Sequence, residues 1–241
     1  MDGIDGILNR KDMTFKEAED YFKQRIPVSA AVFYAIAEEY RSLAFTVSGY
    51  TKAQILKRFY DKLLVALEEG GTLREFQESM SDFLESEGYE GPSPVHMELI
   101  FRTNIQTAYN GGHYRRMTDP AVKELRPYWR YNAVDDAHTR PTHLEMNGRV
   151  FPADSPVWDV WFPPNGFKCR CTVTALSERQ VEQRGLTVET EFPAVEPDRH
   201  FGTNPAKVPF QPDLEGYPEA LAEAYRARER ENGQKRAQNG G

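Results

Sequence analysis

The character of the sequence changes near residue 126, and this change restricts the chain to a mixed architecture. Before it, apolar residues recur at helical spacing in segments separated by glycine, proline or capping residues. After it, short aromatic and β-branched runs alternate with turn-forming residues, which is typical of a small sheet. We predict an α+β fold with three parts: an N-terminal helical region at 1–93, a module with a long helix and a small loop-rich sheet at 94–185, and an irregular, extended and partly disordered tail at 186–241.

Five helices are predicted before residue 126. Thr14 and Thr72 begin capping-box patterns, and Thr51 is the predicted cap of another helix, which Gly70 ends. The longest helix contains Gly111–Gly112, which we expect either to kink it or to thin it for close packing. The predicted helices cover residues 14–24, 27–43, 51–69, 72–86 and 95–117.

The chain after residue 126 carries three strand candidates separated by turn signals. The strand candidates are 128–133, 150–151 and 169–173, and the turns lie at 147–148, 153–156 and 163–166. Beyond residue 190 the hydrophobic periodicity is lost, so we expect extended, linker-like chain. A short amphipathic helix is predicted at 218–230, followed by a disordered end.

Charge and hydropathy argue against two classes of protein. The formal net charge of −7 argues against a protein held to nucleic acid by bulk charge. A basic patch in the tail remains an alternative DNA contact, and its residues are Arg226, Arg228, Arg230, Lys235 and Arg236. No apolar run reaches the roughly 18 residues of a membrane helix, and the N-terminus lacks the basic start and apolar core of a signal peptide. We therefore expect a protein made in the cytoplasm, with no membrane partner.

Cys169 and Cys171 are the main candidates for metal chemistry. Residues two apart on a strand face the same side, so both thiols could bind one ion. His143 could supply a third ligand and His138 or Asp136 a fourth, a mixture that favours zinc. The spacing of the cysteines matches none of the usual structural zinc patterns. The interpretation we favour has no cofactor: the thiols are small buried hydrophobes, and His143 hydrogen-bonds a loop.

The segment around Asp135 and Asp136 also carries groups suited to acid–base chemistry. With His138 and His143, these carboxylates could form a metal-dependent nuclease or hydrolase site. The sequence contains no glycine-rich phosphate loop and no HExxH or GxSxG motif. We therefore predict no catalytic residues and a protein that is not an enzyme.

Two arginines flank this segment and admit two interpretations. Arg140 and Arg170 could grip a phosphate or a carboxylate of a ligand. We favour structural ion pairs instead, and the candidate partners are Asp135, Asp136 and Glu145.

The predicted long helix has polar residues on every side between Phe101 and Asn110. Asn104, Thr107 and Asn110 could bind neighbouring loops, or they could present a hydrogen-bonding face to a partner subunit. Either interpretation makes this helix a junction between the helical region and the sheet module.

Three segments of the chain resemble the phage Mu F-like head morphogenesis family of minor head proteins. They read FRTNIQTAYNGGHY at 101–114, DAHTRPTHLEMNGRVF at 136–151 and WDVWFPPNGFKCRCTV at 158–173. The PPNG-x-x-CRC ending is the most specific of these motifs, and the resemblance spans roughly residues 12–180. The residues that we assign to the shared motif are Arg102, Asn104, Tyr109, Asn110, Asp136, Arg140, His143, Gly148, Pro163, Pro164, Cys169, Arg170 and Cys171.

The resemblance implies a minor capsid protein of a Mu-like tailed phage or prophage. The expected partners are the phage portal protein, the scaffold and the major capsid proteins, with DNA packaging or ejection as further roles. Such a protein would lie in the cytoplasm of the bacterial host during assembly and then in the virion head. Some relatives carry a CPxC pattern where this chain has Arg140–His143, so Arg140 replaces the first of those cysteines. A metal-dependent nuclease or hydrolase and a DNA-binding accessory protein remain the alternatives.

Overall fold

The computed structural model describes residues 16–28, 44–47, 50, 52–89, 93–207, 219, 222, 223, 225–227 and 230. In chain order the elements are α1 (Lys16–Lys23), β1 (Ile26–Pro27), β2 (Ala44–Phe45), α2 (Ala53–Glu69), α3 (Leu73–Ser86), α4 (Pro94–Met117), α5 (Pro120–Leu125), β3 (Tyr128–Asn132), α6 (Pro141–Met146), β4 (Val150–Pro152), α7 (Val157–Trp161), β5 (Thr172–Leu176) and α8 (Glu178–Gln183). A helical first part followed by a three-stranded antiparallel sheet confirms the predicted α+β class. Among the described residues, no helix combines the length and the apolar character that crossing a membrane requires.

Local capping interactions set the ends of several helices. The Thr72 side chain accepts a hydrogen bond from the backbone N–H of Glu75, whose carboxylate accepts one from the Thr72 N–H, so the predicted capping box begins α3. Gly70 ends α2 with a φ of 71°, a left-handed conformation that favours glycine. Ser93 caps α4, and Pro94 lies in its first turn. The predicted bounds of these helices are therefore confirmed to within about two residues.

The first hydrophobic core lies among helices α1 to α4. Phe22 of α1 stacks on Tyr60 of α2 with ring centroids 4.8 Å apart, and Phe76 of α3 contacts Phe101 of α4 at 5.3 Å. These rings are almost completely removed from water. Burial of such large apolar surfaces is the main favourable contribution to folding, so these contacts fix the arrangement of the four helices.

Gly111 and Gly112 allow α1 to lie directly against α4. A Cβ atom at Gly111 would lie 2.6 Å from the Tyr21 ring, and one at Gly112 would lie 2.5 Å from the backbone nitrogen of Ala18. Such distances are too short for carbon contacts, so a larger residue at either position would push the helices apart. Because α4 continues through both glycines, they thin the helix for packing, which is one of the two roles that the sequence predicts.

The second hydrophobic core lies on one face of the sheet. The strand order is β4–β3–β5, and the central residue Trp129 pairs with Phe151 on one side and Ala175 on the other. Trp129 and Tyr131 alternate with more exposed neighbours along β3, so both point into the core. Met117, at the end of α4, packs in this second core, and α4 therefore contributes to both.

The sheet differs from the prediction at the start of its last strand. Strand β5 begins at Thr172, so Cys169 and Cys171 lie in the loop that precedes it, and the predicted strand at 169–173 begins three residues too early. The physical reason is the length of the partner strand: β3 ends at Asn132, which pairs with Thr172. Earlier residues have no ladder partner on β3.

A second difference concerns the segment after α1. We predict that Pro27 opens a helix, but Pro27 lies in the short strand β1, which pairs with β2 in parallel. The backbone N–H of Val28 donates to the Phe45 carbonyl and keeps the chain extended at this point. Helix α2 has Lys52 as its N-cap. The predicted caps Thr14 and Thr51 and the rest of the predicted helix at 29–43 lie outside the described residues.

The tail is less linker-like than the sequence suggests. Asn204 donates a side-chain hydrogen bond to the Trp158 carbonyl, and Ala206 is buried in the first core. The Tyr21 hydroxyl donates to the Pro205 carbonyl over 2.8 Å. The chain up to residue 207 is therefore held on the folded body by contacts of individual residues, which leave no periodic pattern in the sequence.

The described residues between 219 and 230 are helical, in agreement with the predicted short helix. Ala222 and Tyr225 are buried, and Arg226 pairs with Glu219 at 3.3 Å. Three residues of the predicted basic patch, Arg228, Lys235 and Arg236, lie outside the described residues.

Candidate functional site

Three buried side chains converge beneath the sheet module. His143 lies on helix α6, and Cys169 and Cys171 lie in the loop before β5. The Nδ1 atom of His143 is 3.5 Å from the sulfur of Cys171 and 3.9 Å from the sulfur of Cys169. The three donor atoms all lie within 4.8 Å of one another, and each residue is at most 5% exposed. We call these three residues the His–Cys–Cys cluster.

A buried asparagine fixes the orientation of the imidazole. The Nε2 atom of His143 is 3.2 Å from the backbone carbonyl of Asn165. The Asn165 amide donates to the Val160 carbonyl and accepts a 2.9 Å hydrogen bond from the Tyr131 hydroxyl. Trp161 adds an edge contact to the imidazole, with ring centroids 6.1 Å apart. The ring is thus held on both sides, with Nδ1 directed at the two sulfurs.

The two thiols differ in acidity because they interact with each other. The hydrogen bond from Cys171 lowers the pKa of Cys169, against the effect of burial. The same hydrogen bond, together with burial, raises the pKa of Cys171. Burial also raises the pKa of the Tyr131 hydroxyl well above its usual value, so this phenol stays protonated and acts as a hydrogen-bond donor. Cys169 is therefore the thiol that ionises first.

Asp136 and His138, the other two predicted ligands, lie outside this cluster. Both carboxylate oxygens of Asp136 accept hydrogen bonds of 2.6 Å from the Arg170 guanidinium, which confirms the predicted ion pair for this arginine. Arg170 lowers the pKa of Asp136 and keeps it ionised. His138 is exposed, and only its backbone N–H donates to Asp136. Among the described residues, the structure groups His143 with the two cysteines alone.

Arg140 pairs with a residue that the sequence did not suggest. Its Nε atom lies 2.8 Å from the carboxylate of Asp198, in the tail, and its guanidinium also donates to the Phe167 carbonyl. The predicted partners Asp135, Asp136 and Glu145 are therefore wrong for Arg140. Gly166 makes this pair possible, since a Cβ there would lie 2.4 Å from the Asp198 carboxylate. The ion pair holds the tail against the PPNG turn.

Helix α4 presents a row of side-chain donors to the loop and strand that carry the cysteines. Gln106 and Asn110 both donate to the carbonyl of Cys171, over 3.0 and 3.2 Å. The Nε2 atom of His113 is 2.8 Å from the carbonyl of Val173, and burial lowers the pKa of this histidine. These residues occupy positions i, i+4 and i+7 of one helix face, which contacts the end of the cysteine loop and the start of β5. The junction role predicted for this helix is thereby confirmed.

Two of the α4 residues that contact the cysteine loop and β5 were not predicted from the sequence. Asn110 was predicted, whereas Gln106 and His113 were not, although their spacing along the helix could have indicated them. Asn104 instead accepts a hydrogen bond from Arg25, and Thr107 donates to a carbonyl of its own helix. These two residues therefore stabilise the helical region and not the cysteine loop.

The remaining motif residues lie around the same junction. Arg102 and Lys168 both pair with Glu98, at 2.8 and 2.9 Å, and they lower the pKa of that carboxyl. Tyr109 stacks on His113 with ring centroids 6.2 Å apart.

The other motif residues lie in two turns. Gly148 has a φ of 85° in the turn before β4, and the Pro163–Pro164 peptide bond is cis. Most of the motif therefore connects α4, the PPNG turn and the sheet.

The arrangement is better suited to holding the chain together than to acid–base chemistry. His143 is buried and faces two sulfurs, Asp136 is paired with Arg170, and His138 and Asp135 are exposed. The groups that a hydrolase would use therefore lie in three different environments and do not gather around one reacting position.

Comparison with known proteins is informative for the region that contains this site. Residues 57–174 match the family described as "Phage Mu protein F like protein". The chain is 35% identical over 170 residues to the "Mu-like prophage FluMu F protein" of Haemophilus influenzae, an alignment that covers 66% of this chain and 41% of that protein. It is 33% identical over 189 residues to the "Putative capsid assembly protein F" of Escherichia phage Mu, covering 72% of this chain and 43% of that protein. The chain thus spans about two fifths of the length of these relatives. No solved structure gives a significant match.

Proposed function

The chain belongs to the phage Mu F-like family, and we propose that it is a structural component in the assembly of the head of a Mu-like phage or prophage. The observation that carries this proposal is the 33% identity to a phage Mu protein whose name refers to capsid assembly. The matched region includes the junction between α4 and the sheet module, where Gln106 and Asn110 both donate to the Cys171 carbonyl.

The internal contacts support a structural role without catalysis. The motif residues make hydrogen bonds and ion pairs to other parts of the same chain, as Asp136 does with Arg170 and Arg140 does with Asp198. Because these contacts lie within the chain, the motif residues are needed for folding, and no catalytic role has to be assumed for them. A rigid junction of this kind presents a fixed surface to neighbouring head proteins.

We further propose that the partners are the portal protein, the scaffold and the major capsid protein, met in the host cytoplasm. The protein would then remain in the head as a minor component, with packaging or ejection of DNA as a subsequent step. The family resemblance supports these finer assignments.

Deletion and complementation test the proposal. The gene that encodes this chain is deleted from an inducible prophage, and induced lysates are inspected by electron microscopy. We expect heads to be absent, aberrant or empty, and a wild-type copy supplied in trans to restore them. Normal numbers of filled, infectious heads without the gene would contradict a role in assembly.

A matched variant separates assembly from catalysis. Asp135→Asn combined with His138→Ala removes two exposed groups of the alternative hydrolase site without altering a described side-chain contact. We expect this double variant to restore heads as well as the wild type. Loss of heads with this variant, together with metal-dependent cleavage of DNA or RNA by the purified wild-type chain, would favour the nuclease alternative.

A further inference from the structure

We propose that the His–Cys–Cys cluster is a zinc site, formed by Nδ1 of His143 and the sulfur atoms of Cys169 and Cys171. The ion would have a structural role: it would join helix α6 to the loop that leads into β5. This inference is independent of the proposed function, because it rests only on the geometry and chemistry of the three buried side chains.

The distances between the donor atoms fit tetrahedral coordination. At zinc bond lengths of about 2.3 Å to sulfur and about 2.0 Å to nitrogen, a sulfur and a nitrogen ligand at the tetrahedral angle lie about 3.5 Å apart. The His143 nitrogen lies 3.5 Å from one sulfur and 3.9 Å from the other. The two nitrogen-to-sulfur distances therefore fit a bound ion after shifts of a few tenths of an ångström, and the two sulfurs, which lie within 4.8 Å of each other, would close to about 3.8 Å.

The hydrogen bonding of His143 selects the tautomer that a metal needs. A backbone carbonyl can only accept, so the contact with Asn165 requires the hydrogen of His143 to be on Nε2. In a neutral imidazole, Nδ1 then carries a free lone pair, and this lone pair faces both sulfurs. Two thiol hydrogens would compete for this one lone pair. A single cation can instead be bound by the lone pair and by both sulfurs. A histidine that donates its other N–H to a carbonyl is the usual supporting arrangement around a bound metal.

Charge balance favours zinc in this buried position. Binding would release the thiol protons of Cys169 and Cys171 to solvent, and two thiolates with a neutral imidazole would balance the two positive charges of Zn²⁺. A neutral complex can be buried among aromatic side chains such as Trp161, whereas a net charge there would be costly. The sulfur and nitrogen donors exclude magnesium and calcium, which prefer oxygen ligands.

A water molecule would complete the coordination. Asp136 is held by Arg170 and Arg140 is held by Asp198, so neither side chain turns toward the cluster. The Tyr131 hydroxyl donates to the side chain of Asn165, whose backbone carbonyl lies 3.2 Å from Nε2 of His143. The protein would thus supply three ligands, which leaves the fourth position of a tetrahedral ion to solvent.

Cobalt substitution of the full-length chain tests this proposal. Titration of metal-free protein with Co²⁺ should give thiolate-to-cobalt charge-transfer absorption and the intense visible bands of a tetrahedral site, saturating at one ion per chain and bleached by Zn²⁺. Saturating zinc should also raise Tm by roughly 5–10 °C. A folded wild-type chain with neither a charge-transfer band nor a zinc-dependent Tm would overturn the proposal.

Matched variants identify the ligands. His143→Gln, Cys169→Ser and Cys171→Ser should each weaken binding at least tenfold, whereas His138→Gln, at an exposed histidine five residues before His143, should bind as the wild type does. Equal binding by all four variants would place the metal elsewhere and contradict the assignment. If the cysteine variants fail to fold, the charge-transfer band of the wild type and the unchanged binding of His138→Gln still decide whether thiolates bind the metal.

Discussion

A methyl group added at Gly111 tests the packing of α1 against α4. Replacement by alanine would place a carbon 2.6 Å from the Tyr21 ring, which is only 4% exposed. Carbon atoms in contact lie about 3.5–4.0 Å apart, so the ring or the whole of α1 has to move by about 1 Å.

Two opposing effects set the magnitude of the change in stability. Overpacking of a dense core costs typically about 1–3 kcal/mol. Alanine is favoured over glycine within a helix by about 1 kcal/mol, and this gain partly offsets the cost. We therefore expect Gly111→Ala to reduce the free energy of unfolding by up to about 2 kcal/mol, although the substitution would stabilise an isolated helix.

A double-mutant cycle isolates the contact with Tyr21. Urea unfolding at 25 °C is measured for Gly111→Ala, Tyr21→Leu and the double variant. In the Tyr21→Leu background the ring is absent, so Gly111→Ala should become neutral or stabilising. Gly112→Ala is the matched control, because its added carbon meets the backbone of Glu17 and Ala18 and should remain destabilising in both backgrounds.

The sign of the effect decides the interpretation. If Gly111→Ala stabilises the chain that retains Tyr21, α1 does not lie where the described contacts place it. The same conclusion follows if Tyr21→Leu rescues Gly112→Ala as fully as it rescues Gly111→Ala.

Three further substitutions probe the junction and the tail. Arg170 lowers the pKa of Asp136, so the ion pair stabilises the folded state at pH values above the usual carboxyl pKa, and this stabilisation is lost on acidification. The difference in Tm between the wild type and Asp136→Asn should therefore shrink as the pH falls below about 4. Gly166→Ala should displace the Asp198 carboxylate and increase proteolytic cleavage within residues 190–207, and an unchanged digestion pattern would refute this role. Asn110→Ala should reduce the free energy of unfolding by about 1–3 kcal/mol in urea titrations, since Asn110 is fully buried and donates to the Cys171 carbonyl.

Features determined by neighbouring residues could be predicted from the sequence. The capping box at Thr72 and the left-handed Gly70 depend on interactions within a few residues, and both are found in the structure. The separation of Cys169 and Cys171 by one residue predicted, from the alternation of side chains along a strand, that both thiols could bind one ion. The structure does bring both sulfurs to His143, but from the loop before β5 and not from a strand. Local sequence was therefore sufficient for the two helix ends, whereas the thiols converge for a different structural reason from the predicted one.

Features that depend on distant contacts could not be predicted in this way. Arg140 pairs with Asp198, in a segment without periodic pattern, so nearer carboxylates looked more suitable. The strand at Pro27 forms because β2 lies beside it, a parallel pairing that leaves no mark in the local sequence. The start of β5 is likewise set by the end of β3.

The most direct test of the central claim is the location of the protein after phage assembly. Heads are purified from an induced lysate by density gradient, and their proteins are quantified by mass spectrometry. A structural head component should sediment with the heads in a fixed, small ratio to the major capsid protein. Recovery of the chain only in the soluble fraction, with heads that lack it and remain infectious, would contradict the account.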